Sequence, residues 1–145
     1  MSNLNIPPAL QQIVMEFETS DRQEKIELLL YYAEQMPPLP DWLVDDHQRM
    51  DQVHECMSPV FIHAEAEGRA LRFYFDVPKE SPTVRGFAAI LAAGLDGASA
   101  EQILAVPNDF YETMGLESVL SSQRMNGISA ILAYLKRLAA KHLES

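Results

Sequence analysis

One cysteine, Cys56, is all the thiol chemistry that the 145 residues contain. A single thiol makes no internal disulfide, no four-thiolate zinc site and, by itself, none of the usual ligand sets of an iron-sulfur cluster. Glycine is sparse too, and no phosphate-cradling glycine loop is present. No stretch approaches the roughly 20 uninterrupted apolar residues that span a bilayer, so no membrane partner is expected. Cations are few: 11 Lys and Arg stand against 21 Asp and Glu, a formal charge of −10. That field repels phosphate backbones, which argues against nucleic acid, and it speeds encounter with a basic partner protein. The opening MSNLNIPPALQQ lacks the basic and apolar regions of a secretory signal. A cytoplasmic setting is therefore expected, where a lone thiol stays reduced.

What is present, 48% hydrophobic residues, suffices for one domain over residues 1–145 with its own core. Ile6, Leu10, Ile13, Val14 and Phe17 recur at helical spacing after Pro7 and Pro8 and predict a helix ending near Glu18. Ser20 with Gln23 reads as a capping box for a second helix, whose stripe is Ile26, Leu29, Leu30 and Ala33 and which stops at Pro37-Pro38. The proline-rich, acidic segment to about Gln48 reads as an extended connector pinned by Trp42, and Val53 to Cys56 as a short strand or the approach to a loop. Val60, Ile62, Ala64 and Ala66, then Leu71, Phe73, Phe75 and Val77, alternate with other residues around Gly68, which predicts an antiparallel hairpin with one buried face. Ser81-Pro82 opens a helix apolar almost all round, which Gly97 closes; Ser99 and Gln102 cap a short helix that Pro107 stops. Asn108 or Asp109 caps one more turn ended by Gly115, and the final helix begins after Ser121 or Ser122, with Lys136, Arg137 and Lys141 near its end. The fold class is α+β, a small antiparallel sheet of about three strands with helices packed on it.

The chemistry centres on HECMSPVF, residues 54–61, where the thiol precedes a strand. A nucleophilic cysteine needs a lowered pKa or a nearby base, and Glu55 opposes ionisation. The bland alternative is a small buried apolar residue. His47, His54, Cys56 and His63 are all possible zinc ligands, but their spacings match no compact motif and no metal is expected. The residues around Cys56 match neither the papain nor the caspase signature. Arg85-Gly86 and Arg124 near Gly127 each place a cation near a helix start, where it opposes the dipole and calls for a carboxylate or a ligand; Glu80 and Asp76 are the nearby acids.

These residues resemble the SufE family, sulfur acceptors that work with cysteine desulfurases in iron-sulfur cluster assembly. The likeness runs from about Pro7 to His142 and centres on Cys56-Met57-Ser58-Pro59-Val60-Phe61, similar to the family's cysteine, any residue, serine, any residue, valine, aromatic. Leu39-Pro40, Thr83-Val84-Arg85-Gly86 and Ser122-Gln123-Arg124-Met125-Asn126-Gly127 flank it in order. The resemblance implies a fold like that of the iron-sulfur scaffold and assigns Cys56 as the acceptor of a persulfide sulfur, a step related to thiol-disulfide exchange that needs no cofactor on the acceptor. It implies an acceptor side chain tucked away until docking, Arg124 for partner contact or thiolate stabilisation, and Glu80 for holding the loop. Ser58 and Arg85 are further candidate binding residues.

The implied partners are a cysteine desulfurase, which is a pyridoxal phosphate enzyme, and an iron-sulfur scaffold; the protein would be an accessory that stimulates its donor, not a stand-alone enzyme. Glu55, Pro59, Phe61 and Pro78 depart from residues common in the family. They imply a stiffer loop and leave a rhodanese-type sulfurtransferase open as the donor. A reading of another class is a non-catalytic interaction module that binds a partner through its acidic surface, with Cys56 merely packed.

Overall fold

The computed structural model describes residues 6–56 and 58–144. Two helices come first, α1 (Pro8–Glu18) and α2 (Arg22–Glu34). Proline occupies the first turn of α1, where amides lack intrahelical partners anyway. The capping box of α2 sits one residue later than its sequence suggests. Asp21 accepts from the Glu24 amide at 2.8 Å and the Glu24 carboxylate accepts from the Asp21 amide at 2.8 Å, while the Ser20 hydroxyl turns back to the Glu16 carbonyl. Along α2, Leu29 and Ala33 are buried, but Leu30, placed in the apolar stripe by its sequence, is 41% exposed.

Among the described residues, β1 (Asp51–Val53), β2 (Val60–Glu67) and β3 (Ala70–Asp76) form one antiparallel sheet in that spatial order. Only three residues of the ambiguous segment are strand; after Val53 the chain turns away, and Val53 pairs with Val60. Cys56 and Ser58 therefore lie in the connection of a β1–β2 hairpin. At the other end of β2, Glu67 pairs with Ala70 across a tight turn in which Gly68 takes φ +64°. Val60, Ile62, Leu71, Phe73 and Phe75 point into the core, whereas Ala66 lies beyond its edge and is exposed. The connector pins the opposite face: Trp42 packs edge-on against His63 and Tyr74, and the His47 ring stacks on Phe61 at 3.7 Å.

Helix α3 (Pro82–Gly94) runs through the middle of the molecule. Val84, Phe87, Ala88, Ala89, Ile90 and Leu91 are buried, and Gly86 is in direct contact with α2, because a Cβ there would collide with the Leu29 carbonyl. The helix ends before Gly97, which instead takes φ +79° in the following turn and donates its amide to the Leu71 carbonyl. The short α4 (Ala100–Leu104) carries the expected Ser99–Gln102 capping box, and α5 (Phe110–Thr113) makes one turn behind Asp109. The long α6 (Ser122–Glu144) closes the core with Ile128, Ile131, Leu132, Leu135 and Ala139; Lys141 and His142 lie in its last turn, where a cation suits the dipole. No helix among the described residues is long and apolar enough to cross a membrane.

Candidate functional site

The β1–β2 hairpin carries Cys56 to the place where α3 and α6 both begin. Together they enclose a cavity of about 460 Å³. Cys56 and Ser58 line it from the hairpin, Glu80, Ser81, Thr83 and Val84 from the start of α3, and Ser121, Gln123, Arg124 and Gly127 from the start of α6. Four residues singled out in the sequence, Cys56, Ser58, Glu80 and Arg124, thus meet in one cavity although 68 positions separate the first from the last.

The thiol is held by local and distant contacts. The Cys56 amide donates to the Val53 carbonyl at 3.3 Å, closing the turn out of β1. Its Sγ is half-buried and donates to the Gly127 carbonyl on α6 at 3.4 Å. A Cβ at residue 127 would stand 3.2 Å from that sulfur, so glycine leaves the space that the thiol occupies. Gly127 thus serves as a seat for the sulfur, a role that its pairing with Arg124 in the sequence did not suggest.

Burial pushes the Cys56 thiol up, and the neighbouring Glu55 charge adds to it, carrying the pKa from 9.0 to about 11. At neutral pH the side chain is a protonated thiol. Glu80 and Arg124 are exposed on the cavity wall, and neither makes an ion pair among the described residues. The Arg124 amide donates to the Ser121 hydroxyl at 3.3 Å, which fixes the first turn of α6.

Ser58 and Ser81 were not paired in the sequence. Their hydroxyls lie 2.5 Å apart, so the hairpin is tied to the start of α3. Ser81 is the N-cap residue of α3, as its sequence suggests, yet its side chain caps no amide of that helix.

Arg85 goes elsewhere. It faces a separate cleft of about 530 Å³ with Leu30, Ala33, Glu34, Lys79 and Pro82. Neither Glu80 nor Asp76 is its partner. The guanidinium donates to the Ala33 carbonyl at 3.1 Å and to the Val77 carbonyl, where it joins the end of α2 to the segment entering α3. Asp76 instead meets His47 at 2.6 Å.

His63 is likewise engaged away from the thiol, donating Nδ1 to the Arg49 carbonyl at 3.1 Å. Among the described residues no group of three His, Cys, Asp or Glu side chains is placed to share a metal ion. Met57, beside the thiol in the acceptor motif, and the first five residues of the opening segment lie outside the described residues.

The SufE family profile, described as the Fe-S metabolism associated domain, matches residues 11–139. The chain belongs to the SufE family. A SufE-like protein of Mycobacterium tuberculosis is 45% identical over 134 residues, 92% of each chain. The sulfur acceptor protein CsdE of Escherichia coli is 28% identical over 111 residues, 75% of this chain and 72% of its own length. The solution structure of a hypothetical protein from Thermus thermophilus superposes with a TM-score of 0.84 at 39% identity, over 97% of this chain and 99% of the other. The SufE fold therefore covers both the sheet and the helices that enclose the Cys56 cavity.

Proposed function

We infer that this SufE-family protein accepts sulfur on Cys56 from the persulfide of a cysteine desulfurase, a pyridoxal phosphate enzyme, and passes it to an iron-sulfur scaffold in a reducing cytoplasm. The observation that carries the inference is a lone thiol, half-buried in a cavity that Arg124, without an ion pair among the described residues, also lines, in a chain matched by the family profile over most of its length.

The Cys56 thiol loses its proton to solvent on docking, and the thiolate attacks the outer sulfur of the donor persulfide. The new Sγ–S bond forms as the donor's S–S bond breaks, and the departing donor cysteine keeps the electron pair as a thiolate. Sulfur moves without net oxidation or reduction. Arg124 contacts the donor or stabilises the thiolate, while Glu80 helps to hold the loop. Ser58 positions the hairpin, and Arg85 braces the entry to α3 through two backbone carbonyls.

The resting geometry suits protection more than attack. A thiol with pKa about 11 is nearly all protonated at pH 7, so the sulfur must leave its seat on the Gly127 carbonyl when a donor docks. Seated sulfur is shielded from bulk thiols, which would otherwise reduce a persulfide.

The same raised pKa is the one observation that favours a second reading, in which the fold is an acidic interaction module and Cys56 is only packed. Alanine release by a cysteine desulfurase, measured with and without this protein, separates the two. Stimulation by the natural chain that disappears in Cys56→Ser, with binding to the desulfurase retained, supports sulfur acceptance. Equal stimulation by both proteins supports the module. Stimulation by neither, with sulfur accepted from a rhodanese-type sulfurtransferase, would move the donor assignment to that class.

A further inference from the structure

The hydroxyl of Ser81 has two possible uses, and the structure shows it in one of them. A serine at the N-cap ordinarily accepts from an amide two or three residues into the helix. Ser81 occupies that position on α3 but caps no amide; its hydroxyl meets Ser58 instead. Ser58 lies two residues beyond the acceptor thiol, and the contact joins residues 23 positions apart. A second tether of this hairpin is the thiol's own hydrogen bond to Gly127, between residues 71 positions apart. A hydroxyl pair and a thiol contact thus hold the hairpin to α3 and α6 respectively.

We propose that Ser81 is a positioning residue for Cys56, a latch that holds the thiol in its cavity through Ser58 and that returns to capping α3 when the hairpin lifts. The exchange returns part of the hydrogen bonding that opening costs. As Ser58 leaves, the freed Ser81 hydroxyl accepts from the Val84 or Thr83 amide, so the helix start regains part of what the hairpin loses. A residue that could only hold would make release expensive; one with two partners sets a poised equilibrium. The importance of the latch for sulfur transfer rests on the proposed acceptor role, but its effect on thiol exposure does not.

The test is the rate of Cys56 alkylation by iodoacetamide as a function of pH, in the protein alone, with thermal unfolding of each variant recorded in parallel. The pH profile separates a change in ionisation from a change in the limiting rate of the thiolate. Ser58→Ala and Ser81→Ala should each raise the limiting rate by roughly two- to fivefold, the part of one neutral hydrogen bond's equilibrium weight that capping does not return. The double variant should be no faster than Ser81→Ala, because both changes break the same contact. Ser81→Thr, which keeps a hydroxyl, should remain near the natural rate.

Stability distinguishes the two-partner latch from a plain tether. Ser58→Ala frees Ser81 to cap and should melt above Ser81→Ala, which has neither use of the hydroxyl. Natural alkylation rates in both single variants, rates that multiply in the double variant, or equal melting losses in the two single variants would each overturn the proposal. Because no sulfur donor is present, a failure here leaves the acceptor role untouched, and a failure of sulfur acceptance leaves the latch measurable.

Discussion

Replacing Gly127 by alanine separates the seat of the thiol from the stability of the fold. Gly127 lies within α6 at a helical position, so alanine should favour the helix by about 0.8–1 kcal/mol. Against this, the added Cβ would stand 3.2 Å from Cys56 Sγ, and the sulfur must give way by a few tenths of an ångström. A shifted sulfur loses its hydrogen bond to the residue 127 carbonyl, which as a weak thiol donor is worth no more than about 0.5–1.5 kcal/mol. The opposing effects nearly cancel, leaving a net change within about 1 kcal/mol, or roughly 3 °C in a domain of this size. Reactivity has no such cancellation. Burial is the main cause that holds the Cys56 pKa at about 11, so an unseated thiol should titrate lower and alkylate faster at pH 8. Thermal unfolding and iodoacetamide kinetics against pH measure both quantities. A stability loss beyond the roughly 1–3 kcal/mol of ordinary overpacking, with an unchanged alkylation profile, would refute the reasoning. It would make Gly127 a requirement of helix packing and not of the thiol's position.

In the natural protein the alkylation midpoint should lie near pH 11, and Glu55→Gln should lower it by removing the second cause of the shift; a midpoint at the ordinary thiol value would contradict the half-buried geometry. Because the folded protein holds this proton more tightly than the unfolded chain does, the thiol's contribution to stability is complete below pH 9 and is lost as pH rises through about 11. Urea titrations over that range should show this loss in the natural chain and not in Cys56→Ser. Gly86→Ala should destabilise by about 1–3 kcal/mol or more, since the new Cβ meets the Leu29 backbone and not a flexible side-chain end; chemical denaturation checks this. Arg85→Ala should lower stability by about 1–3 kcal/mol through the carbonyls it abandons, without changing Cys56 alkylation, whereas exposed Arg124→Ala should melt normally yet accept sulfur more slowly.

Local pattern carried the reading far where one element settles its own conformation. The alternation around Gly68 located β2, β3 and their turn, and Ser99–Gln102 located the start of α4. Sequence spacing alone puts the start of α2 one residue early, because Ser20–Gln23 and Asp21–Glu24 present the same spacing; only the second closes both hydrogen bonds, and the Ser20 hydroxyl is drawn back to Glu16. Leu30 satisfies the helical stripe in sequence, but α2 buries a narrower face against its neighbours.

The site was legible as a set of residues and not as a geometry. Resemblance brought Cys56, Ser58, Glu80 and Arg124 together, but no local rule shows that Ser58 would reach Ser81 or that the Gly127 carbonyl would receive the thiol from 71 positions away. For Arg85, nearby acids looked like natural partners. The fold offers it instead the backbone carbonyls at the end of α2 and at Val77, and the former lies 52 positions away. Such contacts depend on how helices pack, and spacing along one chain does not encode them directly.

The most direct test of sulfur acceptance is the intact mass of the protein after incubation with a pyridoxal phosphate-loaded cysteine desulfurase and free cysteine, with Cys56→Ser treated alongside. The expected result is a gain of one sulfur atom that reductant removes and that the variant lacks. An unchanged mass in the natural chain, under conditions where the desulfurase turns over and binds it, would contradict acceptance on Cys56.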